Sequence, residues 1–204
     1  KVSGYTREDM TVLDEGTGEQ YSFVLPGPPL DERARRACLD AVSALKDASY
    51  LVPSGSLPAD VPDDLYADVA SIAKRAGARV VLDTSGAALA AALKAGVHIV
   101  KPNLGELRSL SGQALESEAD RLLACRTLLA TGRAEIVALT LAERGALVVT
   151  RDRAWRLAAP QVKVVSTVGA GDSFLGAFVW SLASGHDLSV AARYGVAAGT
   201  AALL

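Results

Sequence analysis

From Asp31 onward the chain alternates short, unbroken apolar runs with stretches of helical periodicity, and that rhythm constrains the fold more than any other feature. Tyr50-Leu51-Val52, Arg79 to Asp83, His98 to Lys101, Glu135 to Leu139 and Ala146 to Thr150 read as strands, the first of them short and buried. Two shorter β segments are expected near Ala154-Trp155 and at Val162 to Val165. Helices are expected from an Asp31 cap to about Lys46, from Asp63 to Ala76 with Gly77 as the stop, and over 87–95, 104–110 and 117–130. Asp172 and Asp187 open the last two helices. Strands that are apolar on both faces need helices on both faces. The fold class is therefore α/β, a doubly wound, mostly parallel sheet. Ligands of such sheets sit at the carboxyl ends of the strands. That singles out loops 53–58, 83–86, 101–106, 140–145 and 166–172.

The first thirty residues differ. Thr11-Val12-Leu13 and Tyr21 to Leu25 flank Gly16-Thr17-Gly18, the pattern of a β-hairpin, and Pro26-Gly27-Pro28-Pro29 stops its second strand. The chain thus divides into a small β element over 1–29 and a core over 30–204. Both ends read as cut, because the chain opens inside a β element and finishes on the uncapped apolar Ala201-Ala202-Leu203-Leu204.

Composition excludes several classes. The formal net charge is −2 with acids and bases interspersed, so no basic patch invites nucleic acid. Arg33, Arg35 and Arg36 follow Asp31 and Glu32 on one helix and read as a solvated face. No run approaches the ~20 apolar residues of a membrane span. Lys1-Val2-Ser3-Gly4 does not open a signal peptide, and a cytoplasmic address follows by default. Cys38 and Cys125 read as two reduced, half-buried thiols. His98 and His186 lack the partner spacing of metal ligands.

The strongest motif is Ser166-Thr167-Val168-Gly169-Ala170-Gly171-Asp172-Ser173, between an apolar β segment and an apolar helix. Gly169 and Gly171 allow a tight bend and close approach of backbone to ligand. Free amides at the helix start, at the positive end of its dipole, attract an anion. Asp172 there has two readings. It is a first-turn acid stabilised by the dipole, or a base taking a proton from a hydroxyl that attacks a phosphoryl group. Lys101-Pro102-Asn103-Leu104-Gly105-Glu106 likewise reads as a capping box or as a phosphate and metal element. Ser54-Gly55-Ser56-Leu57-Pro58 and Asp83-Thr84-Ser85-Gly86 are turns at strand ends, and Thr140 to Ala146 is a hairpin turn. Neither a GxxxxGK[ST] P-loop nor a GxGxxG fingerprint is present.

Thr167 to Ser173 is similar to the C-terminal signature of the PfkB, ribokinase-like sugar kinases, and the resemblance runs from about Tyr5 to Leu204. It implies that Asp172 is the catalytic base and that Gly169, Ala170 and Gly171 form the anion hole. It implies that Lys101, Asn103, Thr140, Glu143, Gly145 and Thr167 bind ATP, with Ala142 standing where the family usually has glycine. Glu106 would orient Mg2+ through water, and backbone oxygens of Ser166 and Val168 would hold K+. Ser56 would touch the phosphosugar together with Asp172, while Asp83 to Gly86 resembles another loop beside the site. The segments Gly18 to Phe23 and Pro26-Gly27-Pro28 resemble the lid of the minor 6-phosphofructokinases of this family. The resemblance thus implies phosphoryl transfer from ATP to fructose 6-phosphate. Fructose 1-phosphate and tagatose 6-phosphate are the alternatives, and a homodimer through the lid is implied. The family's N-terminal glycine-rich sugar signature has no match here. A non-catalytic nucleotide-binding fragment is the reading from another class. A dinucleotide-dependent oxidoreductase is opposed by the missing fingerprint.

Overall fold

A computed structural model describes residues 6–14, 16–58 and 60–204. The four residues read against a leader, and Tyr5 where the resemblance begins, lie outside these.

A hairpin comes first: β1 (Asp9–Leu13) pairs antiparallel with β2 (Gln20–Val24), in register from Asp9↔Val24 to Leu13↔Gln20. Then α1 (Glu32–Ser43) starts where Asp31 accepts from the Ala34 amide, as its type and position predict. It ends at Ser43, short of the expected Lys46.

The core follows as β3 (Tyr50–Leu51), α2 (Leu65–Arg75), β4 (Arg79–Leu82), α3 (Gly86–Ala95), β5 (Val97–Val100), α4 (Leu104–Ser111), α5 (Glu118–Ala130), β6 (Ala134–Thr140), β7 (Ala146–Val149), β8 (Ala154–Leu157), α6 (Ala170–Ala183) and α7 (Leu188–Ala201). The six strands β3 to β8 lie in chain order in one sheet. The pairs β3–β4, β4–β5 and β5–β6 are parallel, and β6–β7 and β7–β8 are antiparallel.

Both faces are covered, as the apolar runs require. On one face Val80, Leu82, Val100 and Leu139 pack with Leu89, Leu93, Leu107 and Leu129 of α3, α4 and α5. On the other, Val81, Ile99 and Val148 meet Phe174 and Phe178 of α6 and Ala191 and Val196 of α7. Burying a side chain such as Phe178 contributes about 2 to 3 kcal/mol. Among the described residues no helix is long and apolar enough to cross a membrane.

Four expectations are corrected. The β3 strand is two residues long and half-buried, because among the described residues it is the sheet's edge, with a strand partner on one side; Val52 is exposed. The α2 helix starts at Leu65, not Asp63, with Asp64 at its cap position. Val162 to Val165 form no strand despite three β-branched residues. The segment instead lies against the end of α7, where the Val165 amide donates to the Leu203 carbonyl. Cys38 is exposed on α1, whereas Cys125 is buried, and both are free thiols. The basic cluster is a solvated face: Glu32 pairs with Arg35 and Arg36.

Candidate active site

The α6 helix begins two residues before Asp172, and this offset organises the site. Gly169 occupies the cap position at φ +76°, a left-handed conformation that costs glycine little. Asp172 is therefore the third helical residue. The amides of Ala170, Gly171 and Asp172 belong to the first turn, which has no intrahelical acceptors. They find none among the described residues outside the helix either. The turn thus presents N–H groups and a helix dipole to whatever lies in front of it. The Asp172 side chain does not help cap the helix, and the residue is exposed.

In front of the turn is a cavity of about 520 Å³. Asn103, Thr140, Glu143, Gly145 and Thr167 line it, together with Ala170 and Gly171. Five of the six residues expected to hold the nucleotide are thus brought together. The sixth, Lys101, lies just behind: its Nζ is 3.6 Å from the position a β-carbon would take on Gly171. Apolar walls come from Leu104, Val164, Phe174, Val196 and Leu203. These went unread in the sequence because no local pattern distinguishes them from core residues.

Adjacent strand ends supply the loops. Asn103 and Thr140 form an isolated parallel bridge, and the Thr140 amide donates to the Pro102 carbonyl at 3.0 Å. Asn103 and Glu106 make a full capping box: Asn103 Oδ1 accepts from the Glu106 amide, and Glu106 Oε2 from the Asn103 amide. Capping leaves Asn103 exposed at the cavity, so the cap does not remove the residue from it.

Charge concentrates behind the turn. Lys101 is 6% exposed, and its Nζ is 3.0 Å from Asp83 Oδ1. Burial raises the Asp83 pKa, the charge and hydrogen bond of Lys101 oppose that, and the charge of Asp172 adds to it. Burial also raises Glu106, against the Asn103 amide and Lys101, with Asp83 adding repulsion. Asp83 and Glu106 thus share the field of one ammonium, and Asp172 is close enough to Asp83 to repel it. Among the described residues no three acidic, His or Cys groups converge as a metal cage. Glu106, a single carboxylate near the amide turn, has the donor chemistry of a residue that holds a hydrated cation such as Mg2+ jointly with phosphate oxygens.

The loop Ser54 to Pro58 sits beside this group. Ser54 bridges to Asp83, the Gly55 amide donates to Asp83 O, and Thr84 Oγ1 donates to Gly55 O at 2.8 Å. Tyr66 donates to the Ser54 carbonyl from α2. Ser56, at the free end of the loop, accepts from Arg7 at 2.8 Å, and Asp9 holds the same guanidinium at 2.8 Å. On the other side, Thr167 Oγ1 donates to Gln20 Oε1 of β2 at 3.2 Å. Arg7 and Gln20 were missed in the sequence, because each partner is far along the chain. In the segment 166–169 the Val168 amide donates to Ser166 Oγ, and the carbonyls of Ser166 and Val168 accept no inter-element backbone bond among the described residues.

Comparison with known proteins is consistent with this geometry. The pattern of the pfkB family carbohydrate kinases matches residues 4–204. The ATP-dependent 6-phosphofructokinase isozyme 2 of Mycobacterium tuberculosis is 40% identical over all of this chain and 60% of its own length. The 1-phosphofructokinase of Bacillus subtilis is 33% identical over 98% of this chain and 65% of its own. The crystal structure of phosphofructokinase-2 from Escherichia coli in complex with potassium superposes with a TM-score of 0.92 at 40% identity, covering 98% of this chain and 65% of that one. The chain thus spans about three fifths to two thirds of the length of these relatives. By the match over nearly its whole length, the chain belongs to the pfkB family of carbohydrate kinases.

Proposed function

We propose that this chain carries the nucleotide site and the catalytic base of an ATP-dependent sugar-phosphate kinase, with fructose 6-phosphate as the acceptor. One observation carries the reading. An exposed carboxylate, Asp172, stands on the same helical turn as the free amides of Ala170 and Gly171, and these two residues line a cavity able to take a nucleotide.

In this reading the base of ATP enters the apolar part of the cavity near Val164, Phe174 and Leu203. Thr140, Glu143 and Gly145 lie along its polar rim. The phosphates run to the turn at Gly169 to Gly171, where amides and dipole balance their charge. Lys101 adds positive charge from behind. Glu106 would hold Mg2+ through water beside Asn103, and the ion would supply charge neutralisation on the phosphate oxygens. Carbonyl oxygens of Ser166 and Val168 are the candidate K+ ligands. The phosphosugar lies between Ser56 and Asp172, with the Arg7 guanidinium placed to meet its phosphate. Asp172 takes the proton of the attacking hydroxyl. That oxygen bonds to the γ-phosphorus as the bond to the departing ADP breaks. Most of the rate comes from placement and charge, since the protein forms no covalent bond itself.

A second acceptor, fructose 1-phosphate, is favoured by the likeness to the B. subtilis 1-phosphofructokinase, and tagatose 6-phosphate is the third. A cytoplasmic address goes with this chemistry, since ATP and sugar phosphates are met there. We also infer a homodimer through the hairpin. Its register puts Met10, Val12, Tyr21 and Phe23 on one face, and all four are exposed. A second copy of that face would cover them, and light scattering reads the outcome.

The reading is tested by calorimetric titration with MgATP and by ADP release in the presence of each of the three sugar phosphates. MgATP must bind, and ADP release must depend on one of the sugars. MgATP binding without sugar-dependent release would favour the non-catalytic reading instead.

A further inference from the structure

The hairpin touches the core's ligand loops at two points, one near each end. Arg7, two residues before β1, donates to Ser56. Gln20 belongs to the pair nearest the turn, Leu13↔Gln20, and its Oε1 accepts from Thr167. At about 3.4 Å per residue, Arg7 and Leu13 stand about 20 Å apart along the strand. The hairpin therefore lies as a strut from the loop assigned to the sugar to the turn assigned to the phosphates. Asp9, Thr11, Gln20 and Ser22 share the opposite face of the hairpin from the apolar residues named above, together with Leu13 and Val24.

Thr167 lies two residues before Gly169 and has no protein partner for its hydroxyl among the described residues apart from Gln20. The segment around it is otherwise loosely held, with the Val165 and Ser166 amides donating to the Leu203 carbonyl. Its orientation thus depends on a side chain from the hairpin, 147 residues away in sequence.

We propose that Gln20 is a positioning residue for the phosphate turn, acting through Thr167, so that seating the hairpin on the Ser56 loop and ordering the turn at Gly169 are coupled. The proposal rests on the site reading above for its kinetic consequence, but its structural claim stands apart from turnover.

The test uses Gln20→Met, which keeps length and removes the acceptor, and Thr167→Val, which keeps shape and removes the hydroxyl donor while leaving the longer 3.5 Å bond from the Thr167 amide. Amide hydrogen exchange is followed in the 204-residue chain over 166–173, over 20–25 and over α5 as a distant reference. Each single variant should speed exchange in the other's segment by about two- to tenfold, the size of one hydrogen bond. The double variant should do no more than Gln20→Met alone, and α5 should be unchanged. Unaltered exchange over 166–173 in Gln20→Met would overturn the proposal. So would an equal rise in α5, which would mean general loosening. In the phosphoryl-transfer assay, Gln20→Met should lower kcat by about two- to tenfold with the KM for ATP within about twofold. A raised KM at unchanged kcat would overturn positioning in favour of simple ATP binding. The exchange arm needs no catalysis, so an inactive chain would defeat the proposed function and still test Gln20.

Discussion

Lys101 Nζ lies 3.0 Å from Asp83 Oδ1 at the ends of neighbouring strands, and only 7% and 15% of the two side chains meet solvent. The pair is the electrostatic hinge of the site, because Asp172 and Glu106 both interact with one or both of its members. Removing one partner of such a pair leaves a buried charge uncompensated, which costs about 3 to 5 kcal/mol. Lys101→Met should therefore lower the unfolding free energy read from urea titration by that amount, and Lys101→Met with Asp83→Asn should recover part of it. A double variant no more stable than the single one would contradict the pairing.

The same aspartate predicts a pH dependence. Burial makes folded Asp83 hold its proton more tightly than the unfolded chain does. Its contribution to stability is fully present below the ordinary value of 3.8 and is lost as pH rises through the elevated folded value. Asp83→Asn removes that dependence. Over this interval the stability of the variant relative to wild type should rise with pH in urea titrations, and a flat difference would refute the assignment.

Gly145 is the residue of the cavity rim least able to change. It sits at φ +88°, and an added β-carbon would fall 2.1 Å from the Leu157 carbonyl oxygen and 2.6 Å from the Ala159 nitrogen. Both obstacles are backbone, so nothing can swing aside. Gly169, at φ +76°, has open space around the same position. Gly145→Ala should cost at least about 3 kcal/mol, strain and displacement together, against about 1 to 2 kcal/mol of strain alone for Gly169→Ala. Equal urea midpoints for the two variants would show that the contact at Gly145 is relieved more easily than its geometry implies.

Legibility divided along sequence distance. The turn at Gly169 to Asp172 and the box at Asn103 and Glu106 were readable because each is complete within six residues. The continuous apolar runs announced strands covered on both faces, and Phe174, Val81 and Leu89 confirm the two layers. Arg7 with Ser56 and Gln20 with Thr167 were not readable, because each contact depends on where the hairpin lands. Val162 to Val165 misled for a related reason. Its last residue, Val165, bonds through its amide to the Leu203 carbonyl just past α7 rather than to a strand, and no local pattern encodes that choice. Cys38 shows the limit of helical periodicity, since α1 has no fully buried residue.

Thiol chemistry separates the two cysteines. Cys38 is exposed, while burial pushes the Cys125 thiol up to about 12. At neutral pH its thiolate fraction is negligible, and the thiolate is the reactive form. A chromogenic disulfide reagent should titrate one thiol in the folded chain and two in denaturant. Two fast thiols without denaturant would mean that α5 does not bury Cys125.

Arg7 gives a prediction about the acceptor alone. Its guanidinium is shared between Asp9 and Ser56, on the loop assigned to the phosphosugar and away from the nucleotide cavity. Arg7→Met should raise the KM for the sugar phosphate by about 10- to 100-fold, the range of a charged hydrogen bond to phosphate. The KM for ATP should stay within about twofold. A comparable rise for both substrates would place Arg7 in a general structural role.

Asp172 carries the heaviest claim, and its test separates chemistry from packing. The residue is exposed and takes no part in capping, so exchanging carboxylate for amide should leave the fold and the first-turn amides in place. The amide keeps the shape but accepts no proton. A general base contributes about 10²- to 10⁴-fold, so kcat for Asp172→Asn should fall by at least about 10²-fold. MgATP affinity should hold steady or rise slightly, because a negative charge has been removed beside the phosphates. The decisive measurement pairs the two on one preparation, titration calorimetry with MgATP and ADP release with sugar phosphate. Turnover near that of the wild type would show that the proton leaves by another route. A loss of nucleotide binding equal to the loss of rate would show instead that Asp172 only supports the turn it stands on.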